Sequence, residues 1–180
     1  MKAPTVETER LILRRHELDD VDASTVMWAD PAVVRYIGGK PSTRQQVWAR
    51  ILSYAGHWSY KQFGYWAIEE RATGAFVGEV GFADFNRDVI AAMSGVPEIG
   101  WALVSRVHGR GFGTEAVRAA LAWGDAHLVS ARTVCLIDAE NAASLRIAEK
   151  CGFTTFERAT YNDRSTHFAE RDRDRDRYGN

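Results

Sequence analysis

The stretch His108-Gly109-Arg110-Gly111-Phe112-Gly113-Thr114-Glu115-Ala116 constrains this chain more than any other. Glycine takes every second position from 109 to 113, directly before a run with helical apolar spacing from about Thr114 to His127. A helix N-terminus leaves its first backbone N–H groups without acceptors, and the aligned peptide dipoles place roughly half a positive charge there. Removing Cβ atoms lets an anion come close to those N–H groups. A strand ("EIGWALV", 98–104), a Gly-x-Gly-x-Gly loop and a helix, in that order, therefore form a phosphate cradle. A merely flexible glycine connection is the plainer alternative.

Two common phosphate loops are excluded. The G-x-x-x-x-G-K-[ST] pattern is absent. The dinucleotide pattern G-x-G-x-x-G fails because Thr114 stands where its last glycine belongs, and no βαβ repeat with an acidic residue ~20 positions on accompanies it. What remains is a pyrophosphate cradle of another kind.

The rest of the chain reads as one domain of mixed helices and strands. "TERLILRRHE" alternates around Leu11 and Leu13 as a first strand, and 19–29 as a short helix. The stretch "DPAVVRYIGGKP" reads as loop. Ser42 with Gln45 has capping-box spacing and opens a helix whose buried face is Val47, Ile51, Tyr54, Ala55 and Trp58. "YWAIEE" and "AFVGEVGFADF" form a hairpin through Thr73-Gly74, followed by a loop over 86–96. Gly100 inside the strand 98–104 signals a bulge or a close backbone approach. "RTVCLID" is a strand, 141–153 a helix ended by Gly152, and Asn162-Asp163-Arg164 turns a last hairpin. These elements give an α+β fold, mostly antiparallel, over 1–171, with 172–180 a charged, solvated tail.

Bulk numbers narrow the function. The net charge of -1 steers the protein neither to nucleic acid nor to an acidic membrane surface. The start lacks the apolar stretch of a secretory signal, and no apolar run is long enough to span a bilayer. Cys135 and Cys151 lie in apolar contexts, as reduced thiols of a cytoplasmic protein do. The five histidines have no ligand spacing, so no metal site is expected.

The chain resembles the GNAT superfamily of acyl-CoA-dependent N-acetyltransferases, within it the branch of ribosomal-protein N-terminal acetyltransferases. The family's pyrophosphate motif, Gln/Arg-x-x-Gly-x-Gly/Ala, is matched by His108-x-x-Gly111-x-Gly113 and the following "TEA". "TERLILRR", "EIGWAL" and "NAASLRIAEKCGF" match in order, so that the resemblance covers about 7–171. It implies a three-layer fold with a mixed, mainly antiparallel sheet splayed between its fourth and fifth strands, where the pantetheine arm of acetyl-CoA enters. By this resemblance Trp101, Ala102, Leu103 and Val104 offer main-chain groups to the pantetheine. His108, Gly109, Arg110, Gly111, Phe112, Gly113 and Thr114 surround the pyrophosphate, and Asn141 and Ser144 lie near the thioester. His108 departs from the usual Gln or Arg, which costs little where backbone N–H groups do the holding. Arg106 and Arg110 flank the cradle, either reaching phosphate or simply exposed.

The chemistry implied is acetyl transfer to a primary amine by direct attack in a ternary complex. An ammonium has no lone pair; a carboxylate in the pocket can take its proton, directly or through a water, or bulk water can take it from an amine that binds already neutral. Glu98 is the first candidate base, Glu79 the second and Asp84 the third. A tyrosine usually protonates the departing thiolate in this family, but its place is held by Ala148; by resemblance to related branches that also lack the tyrosine, Ser144, four residues earlier, is the candidate donor. Locally, Asn141 and Ser144 also read as the N-cap and first turn of their helix. Trp28, Tyr36, Trp58, Tyr65, Trp66 and Tyr161 populate the acceptor side, either as core or as pocket. The acceptor is a protein N-terminus or a small amine, and the protein acts as a monomer or homodimer. The alternative reading is a CoA-binding module with weak or no turnover, which the missing tyrosine keeps open.

Overall fold

The computed structural model describes residues 2–87 and 93–173. The elements are β1 (Val6–Glu7), β2 (Leu11–Arg14), α1 (Asp20–Ala29), α2 (Pro31–Val34), α3 (Arg44–Tyr60), β3 (Tyr65–Glu70), β4 (Ala75–Ala83), β5 (Glu98–Leu103), α4 (Phe112–His127), β6 (Arg132–Asp138), α5 (Ala142–Lys150), β7 (Thr154–Tyr161) and β8 (Arg164–Asp172). They build one eight-stranded sheet in the order β1-β2-β3-β4-β5-β6-β8-β7. Every pairing is antiparallel except that of β5 with β6. This is the mixed, mainly antiparallel α+β sheet that the resemblance implies. The two-residue β1 shifts the count, so the family's fourth and fifth strands are β5 and β6.

Side-chain alternation along the strands sorts the core onto two faces. Trp66 and Ile68 of β3, Val80 and Phe82 of β4 and Ile99 of β5 pack with Phe112, Ala116, Val117, Ala120 and Trp123 of α4. Trp58, Trp66 and Trp123 meet edge to face there, with centroids 4.8 to 5.3 Å apart. On the other face α1, α2 and α3 pack through Val21, Met27, Trp28, Val33, Val47 and Ile51, with Ala102 of β5 beneath them. α5 lies on the α4 side, where Ala148, Cys151 and Phe153 join the larger cluster.

Local chemistry fixes the element ends. Thr43, not Ser42, caps α3, and its capping box closes with Gln46. The motif tolerates a one-residue slip in a Ser-Thr-Arg-Gln-Gln run, and the backbone chose the register that buries Val47, Ile51, Tyr54 and Trp58. Ala55 falls off that face and is exposed. The expected loop after α1 begins with a helical turn, α2, because Asp30 accepts from the Ala32 amide and Pro31 sits at its first position. α5 ends as expected at Gly152, with φ at +83°; the Gly152 and Phe153 amides donate to Glu149 and Ala148 carbonyls. The β7–β8 hairpin turns through Asn162 and Asp163, both left-handed at φ +49° and +61°. β8 runs to Asp172 and takes in the first residue of the expected tail; 174–180 lie outside the described residues. Of the loop over 86–96, residues 88–92 lie outside them too.

Candidate active site

β5 is hydrogen-bonded to β4 along its whole length, from Gly78↔Leu103 to Ala83↔Glu98, with no bulge at Gly100. On its other side it meets β6 at the single pair Glu98↔Val134. The strands then part. Pro97 accepts from the Val134 amide on the β6 side, while the Val104 amide donates to Val77 on the β4 side. Main-chain groups alternate between the two sides, so those of Ile99, Trp101 and Leu103 face the gap. Those of Ala102 and Val104 face β4. Of the four residues expected to meet pantetheine through the main chain, Trp101 and Leu103 face the gap, the Leu103 carbonyl being taken by His108, and Ala102 and Val104 face β4. The glycine at 100 is explained instead by close approach: a Cβ there would lie 2.2 Å from the Tyr65 hydroxyl.

The gap opens into a cavity of about 580 Å³. Trp28, Arg50 and Tyr54 line it from the α1–α3 face, and Asn141 and Ser144 from the α4–α5 face. Residues on opposite faces of a sheet share a cavity only where the sheet is interrupted, and the parting of β5 from β6 is that interruption.

Glu98 lines this cavity at the apex of the gap. Arg87 donates to both its oxygens, at 3.0 and 3.1 Å, and gives a third N–H to the Tyr161 hydroxyl at 2.6 Å. Glu79 is fully buried in the cavity wall. Its carboxylate accepts from Ser24 Oγ at 2.5 Å, Tyr54 Oη at 2.9 Å and Trp28 Nε1 at 3.2 Å, all neutral donors. The Tyr54 ring stacks on Tyr65 with centroids 4.4 Å apart, and burial pushes both phenols far above their ordinary values, which keeps them neutral donors. Asp84 does not line the cavity; it pairs with Lys61 at 2.5 Å, which holds its carboxyl below the ordinary value. Asp138 lines the cavity and is paired with Arg164.

Asn141 caps α5, its Oδ1 accepting from the Ser144 amide at 3.1 Å. The Ser144 hydroxyl has no hydrogen-bond partner among the described residues and borders the cavity. Ala148, four residues on, is buried among apolar neighbours and offers no proton.

The glycine loop lies at the head of α4. Gly109 and Gly111 are left-handed at φ +73° and +84°, and Gly111 is the N-cap. Among the described residues the amides of Gly109 and of 111–114 have no hydrogen-bond acceptor outside the helix interior, while that of Glu115 closes on Gly111. A Cβ at Gly113 would come within 2.8 Å of Ile147, so this glycine lets α4 and α5 touch. His108 is exposed, and its Nε2 donates to the Leu103 carbonyl at 2.8 Å, which ties the loop to the end of β5. Arg10 braces the loop from β2's approach, donating to the Arg110 carbonyl at 3.0 Å and pairing with Glu115. Arg110 and Arg106 are exposed and lie 3.9 Å from Glu70. Five free amides, three in the first turn of the sixteen-residue α4 and two in the loop before it, make a fitting seat for a pyrophosphate.

Sequence reasoning missed Arg50, Arg87, Ser24, Tyr54, Asp138 and Arg164, because only the tertiary fold brings them to one wall. Cys135 and Cys151 are buried free thiols held protonated by burial. Among the described residues there is no cluster suited to a metal ion and no helix long and apolar enough to cross a membrane.

Comparison with known proteins agrees with this geometry. The profile of the acetyltransferase (GNAT) domain matches residues 10–154. The uncharacterized N-acetyltransferase p20 of Bacillus licheniformis is 29% identical over 83% of this chain and 82% of its own. A protein from Bordetella pertussis, provisionally assigned as a GnaT-family acetyltransferase, is 28% identical and superposes with a TM-score of 0.83 over 94% of this chain and 99% of that one. RimL, a ribosomal L7/L12 alpha-N-protein acetyltransferase solved with coenzyme A, shares the fold at 16% identity, with a TM-score of 0.76 over 94% and 98% of the two chains. The chain belongs to the GNAT family and is an acyl-CoA-dependent N-acetyltransferase.

Proposed function

We propose that the protein transfers the acetyl group of acetyl-CoA to a primary amine by direct attack within a ternary complex. One observation carries this reading: the parting of β5 from β6 joins the two faces of the sheet in one cavity. A cofactor arm lying in the gap and an acceptor entering from the α1–α3 side would meet there. The free amides of Gly109 and 111–114 would hold the pyrophosphate, and the open main chain of Trp101, with the Leu103 amide, would pair with the pantetheine amides as an added strand does, the Leu103 carbonyl being taken by His108. Bound acetyl-CoA supplies an activated thioester carbonyl.

The chain's own groups then manage protons. Glu98 takes the proton from the acceptor ammonium, directly or through a water, once one oxygen exchanges Arg87 for it. Glu79 is the second candidate, although three donors already hold its carboxylate. Ser144, with its hydroxyl free at the cavity rim, gives a proton to the leaving thiolate, and Asn141 contacts the cofactor while it caps α5. RimL acts on a protein α-amine, which supports a protein N-terminus as one acceptor class here, with a small amine as the other. The domain (1–171) acts in the cytoplasm, as a monomer or homodimer. The reading is tested by free-thiol release from acetyl-CoA with a panel of amines. Release that tracks the added amine supports it; tight CoA binding with no amine-dependent release would leave only the CoA-binding module that the buried Ala148 favours.

A further inference from the structure

Among the described residues three guanidiniums line the cavity: Arg50, Arg87 and Arg164. Two are matched to carboxylates, Arg87 to Glu98 and Arg164 to Asp138. Arg50 is not. Among the described residues it has no ion pair and no hydrogen bond, and its Nε is sealed from solvent without an acceptor. It lies over the face of Trp28 at 3.8 Å from the ring centroid. It sits one turn before Tyr54 on α3, so both side chains leave the same helix face.

Glu79 does not answer this charge. Among the described residues it makes no salt bridge, and its oxygens are filled by Ser24, Trp28 and Tyr54. Trp28 lies between the two, giving its N–H to the carboxylate and its ring face to the guanidinium. A cation stacked on an aromatic face is held in one plane, with its outer N–H fork preset. Leaving such a fork without acceptors in a half-buried wall is costly, and a planar carboxylate is the group that satisfies it best.

The cavity's charges are thus arranged with an orientation. Carboxylates stand at the β5 end, where Glu98 borders the gap, and one unanswered cation stands on the α3 wall. We propose that Arg50 binds a carboxylate on the acceptor, so that the amine acetylated here belongs to a molecule carrying both a primary amine and a carboxylate. This rests on the acetyl-transfer reading above and narrows its acceptor. The carboxylate belongs either to a free amino acid or to an acidic residue at a peptide N-terminus.

The test is titration calorimetry on protein saturated with CoA, wild type against Arg50→Gln and Arg50→Lys. The probes are L-amino acids paired with their amides, and amidated tripeptides beginning with Glu or with Gln. In the wild type at least one carboxylate should bind tenfold or more tightly than its neutral partner. That preference should fall to about twofold in Arg50→Gln and return in part in Arg50→Lys, with CoA affinity and melting temperature unchanged in both variants. A preference confined to one probe set names the source. The proposal is overturned if no carboxylate outbinds its partner in the wild type, or if the preference survives Arg50→Gln. Failure of CoA itself to bind, read first in the same cell, overturns the acetyl-transfer reading and this inference with it.

Discussion

Arg87 grips both carboxylate oxygens of Glu98, at 3.0 and 3.1 Å, at the point where β5 and β6 part. If Glu98 is the base, Glu98→Gln keeps the shape and removes proton acceptance. Turnover at pH 7 should fall ~10²- to 10⁴-fold. Part of it should return toward pH 9, where more of the acceptor amine is already neutral. Ser144→Ala should cost much less, because a thiolate leaves readily and water can protonate it. Steady-state thiol release between pH 6 and 9 measures both, and a flat Glu98→Gln profile at the wild-type rate removes Glu98 from the mechanism.

Glu79 is expected to matter first for stability. Its fully buried carboxylate satisfies Ser24, Trp28 and Tyr54 together. Glu79→Ala strands three donors and should cost roughly 3 kcal/mol or more, and Tyr54→Phe ~1–2 kcal/mol. Urea unfolding reads both. A Glu79→Ala protein as stable as wild type would mean that water replaces the carboxylate without loss.

His16 gives a pH signature. Burial holds its imidazole below the ordinary value, against the pull of the Glu79 and Asp20 carboxylates. The unfolded chain therefore takes the proton first, and stability is lost as pH falls below about 6.5. Between pH 6.5 and 5, above the range where carboxylates titrate in the unfolded chain, His16 contributes to this slope. His16→Gln should flatten it. An unchanged slope would assign it to another group.

Much of the fold was legible because its signals are local. The alternation around Leu11 and Leu13, the Thr73-Gly74 turn and the glycine at 152 each act over a few residues, and each element formed where expected. The α3 cap slipped by one because Ser42 and Thr43 offer the same hydroxyl chemistry and the core decided between them. Gly100 was ambiguous because a bulge and a close contact both exclude a Cβ; the contact is Tyr65, thirty-five positions away in sequence. The site was half legible. The cradle and Glu98 lie in one continuous stretch, whereas Arg50, Arg87 and Arg164 come from α3, from the loop after β4 and from β8, and carry no motif.

The cradle should separate binding from folding. Gly111 is left-handed and caps α4, so Gly111→Val costs ~1–2 kcal/mol of stability. Its branched side chain would also stand over the free amides, and CoA affinity should fall by more than the loss of stability explains. For the wild type, CoA at 100 times its dissociation constant adds about 2.7 kcal/mol, a melting shift of roughly 5–10 °C at this size. NAD and ATP, which lack the pantetheine arm, should shift it far less. Equal shifts from all three would contradict a cofactor arm lying between the strands.

The most direct measurement is a crystal structure of the protein with CoA. The account predicts the pyrophosphate within hydrogen-bond distance of the amides of Gly109 and 111–114, and the pantetheine paired with the main chain of Trp101 and the Leu103 amide in the gap between β5 and β6. The sulfur should lie in the cavity shared by Ser144 and Glu98. CoA bound elsewhere, or a gap closed by pairing of β5 with β6 beyond Glu98, would contradict it.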